Sequence, residues 1–229
     1  MKKLLILLSL MPLAASAQLV EIGVNGGIIP HSKYKAVDAA TTTWDLDKES
    51  QKTYSAGGRI GLNFSAMQLG VACEYQNITY KSTATGYSPA NTVQVNNIEN
   101  DIASSFIASY LYINRAVQAG GGYFYFGLCG GYAMANMSSF DVVDDGIIAP
   151  GVTEKTAKAR GFMGGGQIGS VMGIARRVGF SLEVGLRYAE LDSDYPKQGS
   201  VPTNYLYKNT LVTIPTLVGF RFQLGRGCN

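Results

Sequence analysis

Two segments of this chain alternate apolar and polar residues without interruption. In residues 54–64, YSAGGRIGLNF, every second residue from Tyr54 to Phe64 lies on an apolar face, and Arg59 lies on the opposite face. Residues 179–189, GFSLEVGLRYA, repeat the pattern with Glu183 and Arg187 on the second face. Because successive side chains of a β-strand point to opposite sides, each segment is predicted to be a strand with one apolar face and one charged face.

Six further segments complete a set of eight predicted strands. Four show weaker alternation and two are apolar on both faces in places; they are 19–29, 67–77, 161–174 and 210–223, then 102–113 and 122–135. The outward phase of the last two is ambiguous. We favour an outward position for Phe106, Tyr110 and Tyr112 in the first of them and for Phe124, Phe126, Leu128 and Tyr132 in the second.

The connections between these strands alternate in length. The gaps are 30–53, 65–66, 78–101, 114–121, 136–160, 175–178 and 190–209, with lengths of 24, 2, 24, 8, 25, 4 and 20 residues. Transmembrane barrels have short periplasmic turns and longer extracellular loops. The long gaps are rich in polar, turn-forming residues, and Thr92 to Val95 is expected to extend one of them as a hairpin. The fold class predicted is all-β, an eight-stranded antiparallel up-and-down transmembrane β-barrel.

Charged residues of the predicted strands share the inward phase. A Lys or Arg facing lipid at the midplane would cost about 2–4 kcal/mol, whereas an interior charge can be paired or hydrated. Eight strands enclose an interior just wide enough for side chains to fill. We therefore predict a lumen closed by a charge network that consists of Glu21, Arg59, Glu74, Glu183, Arg187 and Arg221.

Aromatic residues mark the predicted edges of the apolar band. Tyr54 and Phe64 lie ten residues apart on one face, which at about 3.3 Å per residue and a tilt near 40° spans roughly 25 Å of membrane. A soluble barrel with an aromatic core is the alternative, and it would need the polar phase to face outward. The lipid-facing aromatic girdle is predicted to comprise Tyr54, Phe64, Phe180, Tyr188, Phe220 and Phe222.

The first 17 residues have the organisation of an export signal. Lys2 and Lys3 precede the apolar run 4–13, and Ala15-Ser16-Ala17 is a small-residue cleavage site. The apolar run is shorter than the roughly 20 residues that a transmembrane helix needs. We expect residues 1–17 to be a signal peptide, residues 18–229 to form the barrel, and the protein to reside in the outer membrane of a Gram-negative bacterium.

Two strand sequences resemble a known family. The stretches FYFGLCGGYAM (124–134) and IPTLVGFRF (214–222), together with the signal peptide, resemble the porin-family outer-membrane β-barrel domain, the OmpA/OmpX-like group of eight-stranded barrels. The alternating last strand looks like the C-terminal strand that the barrel-insertion machinery recognises. The resemblance implies the fold and that partner, and it is specific for fold but weak for function.

His31, the single histidine of the chain, stands beside Ser32 at the predicted extracellular end of the first strand. With a loop Asp the pair could form a rim site of a lipid-modifying enzyme. Adjacent residues on an extended segment point to opposite faces, whereas a nucleophile needs its base within hydrogen-bonding reach. A solvated rim histidine is the favoured interpretation.

Other residue clusters are expected to have no site chemistry. The acidic loop with Asp141, Asp144, Asp145 and Glu154 is sparser in oxygen ligands than a calcium loop. The glycine runs 120–122 and 164–166 precede no helix, which a phosphate site requires. Cys73 and Cys129 lie on the third and fifth strands, about 10 Å apart and too far for a disulfide, and Cys228 could pair only with another chain.

The charge balance argues against one class of partner. The 19 Lys and Arg, of which Lys2 and Lys3 belong to the signal, face 16 Asp and Glu without a basic block, which argues against nucleic acid as a partner. No cofactor or metal site is predicted. Three hypotheses remain: a non-enzymatic structural or surface-interaction barrel whose loops bind an unknown extracellular ligand, a narrow small-solute channel or transporter, and a rim-site enzyme acting on lipid.

Overall fold

The computed structural model describes residues 19–37, 43–46, 53–64, 66–83, 86–88, 91–95, 99–138, 156–194 and 206–224. The predicted signal peptide, the acidic loop residues from Asp141 to Glu154, and Cys228 lie outside these ranges. Within them, no helix is long and apolar enough to cross a membrane.

Eight long strands form the wall: β1 (Leu19–Val37), β2 (Tyr54–Phe64), β3 (Met67–Thr83), β4 (Glu99–Ala119), β5 (Gly122–Ser138), β6 (Thr156–Ala175), β7 (Val178–Asp194) and β8 (Leu206–Leu224). Each strand pairs antiparallel with the next in sequence, and β8 pairs with β1. The sheet therefore closes on itself and has no free edge among these strands. The predicted eight-stranded up-and-down barrel is confirmed.

Short strands lie in two of the long connections. Thr43–Leu46 pairs with the last residues of β1, and Gly86–Ser88 pairs with Asn91–Val95 as a separate hairpin. The hairpin predicted around Thr92 to Val95 is therefore confirmed. We call the end where the long connections lie the long-loop end, and the opposite end the short-turn end.

All three short connections contain two residues: 65–66, 120–121 and 176–177. The alternation in length is confirmed, but the gaps predicted over 114–121 and 175–178 are too long. Residues 114–119 continue the ladder with 122–127, because polar Asn114 faces the interior and does not mark a loop. Gly120 has a φ of 58°, a conformation that glycine adopts without steric cost in tight hairpin turns.

Pro215 lies beside two irregularities of the wall. On one side Ile28 pairs with Thr216 and His31 with Ile214, so the two residues between them on β1 oppose Pro215 as a β-bulge. On the other side the β7–β8 pairs stop at Val184–Thr216 and resume at Arg187–Thr213. Proline has no N–H to donate to a ladder, which accounts for the interruption opposite Pro215.

For the two strands whose outward face was ambiguous in the sequence, one prediction is confirmed and the other is wrong. On β5 the prediction is confirmed, since Phe124, Phe126, Leu128 and Tyr132 are exposed on the outer surface. On β4 the prediction is wrong: Phe106, Tyr110 and Tyr112 are buried inside, and the outer face carries Ile107, Leu111, Ile113 and Val117. The aliphatic phase of β4 faces outward because the tyrosine hydroxyls and rings have polar and cationic partners in the lumen, described below.

Candidate functional site

The lumen is filled in two layers. Toward the long-loop end, large apolar side chains meet in one buried cluster that includes Ile29, Ile78, Phe106, Leu191 and Leu211. Below them, toward the short-turn end, lies a layer of arginine, glutamate and tyrosine side chains. Buried polar side chains also reach the apolar end, since Gln76 and Ser55 lie at the level of Phe106.

Glu183 on β7 is at the centre of the charged layer. Its Oε2 accepts a hydrogen bond from Arg59 Nη2 at 2.5 Å and from the Tyr125 hydroxyl at 2.5 Å. Arg221 Nη2 lies 3.5 Å from the same oxygen, and Arg187 Nη2 lies 3.4 Å from Oε1. One carboxylate thus contacts three guanidinium groups, all of them buried.

Glu74 on β3 forms the second centre. Its Oε2 accepts from Arg187 Nε at 3.3 Å and from the Tyr110 hydroxyl at 3.1 Å. Its Oε1 accepts from Gln76 Nε2 at 2.7 Å and from Ser55 Oγ at 3.1 Å. Both carboxylate oxygens therefore have partners, as a buried charge requires.

Glu21 on β1 is the third centre and lies nearest the short-turn end. Its Oε2 accepts from the Tyr123 hydroxyl at 2.5 Å, and its Oε1 lies 4.0 Å from Arg221 Nε. Arg221 contacts both Glu21 and Glu183, and Arg187 contacts both Glu183 and Glu74. The structure thus brings all six sequence-predicted lumen charges together in one connected, electrically balanced network.

The sequence prediction missed the uncharged members of the network, and tyrosines are the largest of them. Tyr110, Tyr123 and Tyr125 each donate a hydroxyl hydrogen bond to one of the three glutamates. The guanidinium of Arg59 also lies over the ring of Tyr112, 5.3 Å from its centroid, within the range of a cation–π contact. For Tyr123 and Tyr125 the signal was present, because the outward positions of Phe124 and Phe126 place them on the inward phase.

Glycines of the wall leave room for these large side chains. A Cβ on Gly61 would lie 2.3 Å from the Tyr112 hydroxyl oxygen, and one on Gly70 would lie 2.5 Å from it. A Cβ on Gly23 would lie 2.3 Å from Arg221 Nη1, and one on Gly169 would lie 2.5 Å from the Tyr125 oxygen. At these inward glycines the side chains of the lumen therefore lie against the strand backbone, and a Cβ would clash with them.

Arg187 also contacts the irregular part of the wall. Its Nη1 donates to the carbonyl of Gly166 at 3.0 Å and lies 3.5 Å from that of Leu186. A Cβ on Gly185, opposite Pro215, would lie 2.6 Å from the same nitrogen. The β7–β8 ladder is interrupted at this segment, and Arg187 therefore covers the segment on its lumen side.

The predicted girdle residues lie on the outer surface, in two groups. Tyr54 and Tyr188 are near the long-loop end, where Tyr54 packs 6.0 Å from the ring of Tyr75. Phe64, Phe180, Phe220 and Phe222 are near the short-turn end, and the Phe180 and Phe220 rings meet edge to face at 6.1 Å. Arg115 is an exposed charge close to the β4–β5 turn, where the cost of an outward charge is small.

The remaining candidates do not assemble into a site. His31 is exposed while Ser32 is buried, so the two side chains lie on opposite faces of β1 as predicted. Cys73 is exposed on the outer surface and Cys129 is buried inside, and both are free, which confirms that they are unbridged. Among the residues with described positions, no three His, Cys, Asp or Glu side chains form a metal-binding group.

Comparison with known proteins identifies the fold. No protein-family model matches the sequence, and no curated protein matches it. Among solved structures, the outer membrane protein OprG from Pseudomonas aeruginosa aligns with a TM-score of 0.54 at 12% identity, covering 92% of this chain and 99% of OprG. The chain has the fold of an outer-membrane β-barrel.

Two further structures align with lower scores. AlkL, an outer membrane protein solved by solid-state NMR in DMPC bilayers, has a TM-score of 0.48 at 10% identity, with 93% of each chain covered. Neisserial surface protein A has a TM-score of 0.43 at 12% identity, with 90% of this chain and 97% of that chain covered. At such identities the likeness concerns the fold alone, and the conclusion rests on OprG.

Proposed function

We propose that this protein is a non-enzymatic integral outer-membrane barrel of a Gram-negative bacterium, with a structural or surface-interaction role. The observation that carries the proposal is the pairing of an apolar outer face with a lumen closed by side chains. The outer face would be solvated by lipid. Among the described residues, buried apolar side chains such as Ile29, Phe106 and Leu211 fill the lumen on the long-loop side of the charge network.

The charge network supports a structural role for the interior. Its three arginines and three glutamates contact one another and not open solvent, since each is buried. A selective channel needs binding sites that a solute can enter and leave, whereas these groups are already occupied by each other. We therefore infer that the network holds the wall strands in place.

Three partners follow from this proposal. Membrane lipid would contact the outward residues of all eight strands, and the barrel-insertion machinery would recognise β8, whose outward residues include Val218, Phe220 and Phe222. The long connections would meet extracellular ligands at the cell surface. Their binding chemistry lies in segments outside the described ranges.

Fractionation and heat-modifiable gel migration test the membrane assignment. We expect the protein in the outer-membrane fraction, and we expect a faster-migrating folded band in unboiled samples that converts to the unfolded band on boiling. A protein that remains in the soluble periplasmic fraction would refute the assignment. The control is the same protein kept in urea, which should migrate as the unfolded band in both conditions.

Planar-bilayer conductance tests the closed lumen against the alternative of a narrow channel. We expect no stable openings from the purified, folded protein. A variant with Phe106→Ala and Leu211→Ala removes bulk from the apolar layer and serves as a positive control for leakage. Stable, reproducible openings of the unmodified protein would instead establish the channel.

The rim-enzyme alternative has its own test. His31→Ala should change no lipid-modifying activity of membranes that contain the protein, because His31 and Ser32 lie on opposite faces. A lipid-modifying activity that is present with the unmodified protein and lost in His31→Ala would establish the enzyme.

A further inference from the structure

Gly23 on β1 is surrounded in the lumen by four polar side chains. Arg59 on β2 and Arg221 on β8 are its cross-strand neighbours on either side. Glu21 and Asn25 are the next inward residues along β1 in the two directions. A Cβ on Gly23 would lie 2.3 Å from Arg221 Nη1 and 3.0 Å from Arg59 Cγ, so both arginine side chains pass directly over this glycine. We call the four polar residues the Gly23 cluster.

Hydrogen bonding within the Gly23 cluster is incomplete. Among the described residues, six buried side-chain polar atoms have no hydrogen-bond partner, and three of them belong to this cluster: Arg59 Nε, Arg221 Nε and Asn25 Oδ1. The two arginines are only 5% and 2% exposed, so bulk solvent does not supply the missing partners. A buried donor or acceptor without a partner costs free energy. The concentration of three such atoms around one glycine therefore indicates a bound ligand.

Glu21 provides an acceptor for one of the unpaired donors. Its Oε2 accepts from the Tyr123 hydroxyl, whereas its Oε1 lies 4.0 Å from Arg221 Nε. This separation is too long for a direct hydrogen bond. A water molecule about 2.9 Å from each of the two atoms would span it.

Asn25 provides an acceptor beside the other unpaired donor. A Cβ on Gly57 would lie 2.9 Å from Asn25 Oδ1, so this amide oxygen lies against β2. Gly57 and Arg59 are successive inward residues of that strand. An unpaired acceptor and an unpaired donor therefore occupy adjacent positions of the lumen wall.

The charges of the Gly23 cluster select a neutral ligand. A cation would be repelled by the guanidinium groups of Arg59 and Arg221, and an anion by the carboxylate of Glu21. Both arginines also have glutamate partners already, Arg59 through Glu183 and Arg221 through Glu21 and Glu183. Two donors and two acceptors match the capacity of water, and buried waters make about three hydrogen bonds to such groups.

We propose that the Gly23 cluster binds ordered water, which accepts from the Nε–H groups of Arg59 and Arg221 and donates to Asn25 Oδ1 and Glu21 Oε1. This site goes beyond the structural or surface-interaction role proposed above and requires only the folded barrel. The charged layer of the lumen is then a hydrated network. Water completes the contacts that its side chains do not make with one another.

Solution NMR of the folded, nitrogen-15-labelled barrel in bicelles tests the proposal. Paired NOE and ROE spectra distinguish through-space contact with water from proton exchange by the sign of the cross-peaks. We expect water contacts at the Nε–H groups of Arg59 and Arg221. Arg187 is the internal reference, because its Nε donates directly to Glu74 Oε2 at 3.3 Å and should show no water contact. Its Nη2 also bonds to the Tyr110 hydroxyl, so a signal relayed through exchanging tyrosine hydroxyls would appear there as well.

A pair of variants on β1 locates the site. Asn25→Leu removes one acceptor at similar volume and should lower the water contact at Arg59 several-fold. Ser32→Ala removes a buried hydroxyl beyond the bulge of the same strand and should leave that contact unchanged.

Three results would overturn the proposal: no water contact at Arg59 and Arg221, an equal contact at Arg187, or an equal loss in the two variants. Replacing chloride by sulfate in the buffer should leave the arginine Nε–H shifts unchanged, and a chloride-dependent shift at Arg59 and Arg221 would assign the site to an anion instead. The comparison with Arg187 uses the unmodified protein and so does not depend on a variant folding. A folded barrel without these contacts refutes the water site alone, since fractionation tests the membrane assignment separately.

Discussion

Arg59 on β2 and Glu183 on β7 meet across the lumen with 2.5 Å between Nη2 and Oε2, although 124 residues separate them in the sequence. Neither strand is a neighbour of the other in the sheet. Their contact therefore ties opposite sides of the wall together through the interior.

We expect Glu183→Gln to destabilise the barrel strongly. The substitution leaves Arg59, Arg187 and Arg221 facing only Glu21 and Glu74, and an uncompensated buried charge costs about 3–5 kcal/mol. The free energy of unfolding in lipid vesicles, from urea titration, measures the effect. Glu190→Gln is the control: Glu190 is exposed on the same strand, and its loss should change stability by less than about 0.5 kcal/mol. Equal effects of the two variants would contradict the central role of Glu183.

Two neighbouring tyrosines of β4 separate the role of the hydroxyl from that of the ring. The Tyr110 hydroxyl donates to Glu74 and accepts from Arg187, so Tyr110→Phe should cost about 1–3 kcal/mol of unfolding free energy. Tyr112 contributes its ring to the contact with Arg59, so Tyr112→Phe should cost less than about 0.5 kcal/mol. The same urea titration compares them. A larger loss for Tyr112→Phe would show that the hydroxyl of Tyr110 is not what stabilises Glu74.

Glycine positions on β2 give a direct test of the filled lumen. Gly61→Ala should cost about 1–3 kcal/mol, because its Cβ meets the Tyr112 hydroxyl oxygen at 2.3 Å. Gly58→Ala is the control on the outer face, where the nearest atom is a backbone oxygen at 3.6 Å. That variant should be neutral or slightly stabilising, since alanine restricts the unfolded chain. Similar losses at both positions would argue against a lumen packed onto its glycines.

Pro215→Val should restore a ladder hydrogen bond. Valine supplies the N–H that proline lacks, and the carbonyl of Gly185 lies opposite in register. We expect slower amide hydrogen exchange in residues 184–187 and 213–217, followed by NMR in micelles. Exchange at Ser181 and Gly219, where the ladder is regular, is the internal reference. Unchanged exchange around Gly185 would mean that the missing donor does not weaken this segment.

The sequence predicted the inward charges because each one breaks an otherwise apolar alternation. Arg59, Glu183 and Arg187 stand between residues that lipid tolerates, so their phase was unambiguous. On β4 both phases are apolar or aromatic, and the Tyr110 hydroxyl and the Tyr112 ring decided the phase through partners on β2, β3 and β7. Those partners are set by register across the lumen, which alternation within one strand does not specify. The gap over 114–121 was predicted too long for a related reason, since Asn114 is a residue type common in loops although it faces the lumen here.

Because of the bulge opposite Pro215, the number of residues in β1 determines which of its side chains face the lumen. Before it, odd-numbered residues such as Glu21 face the lumen; after it, even-numbered Ser32 and Tyr34 do. If the same sequence ran through this point in regular alternation, with no bulge to accommodate the extra residue opposite Pro215, inside and outside would be exchanged along the rest of the strand. His31 and Lys33 would then point into the apolar layer, and Tyr34 would leave the hydroxyl contact that it makes with Asn209. In β1, the number of residues therefore matters as much for side-chain orientation as the residue types do.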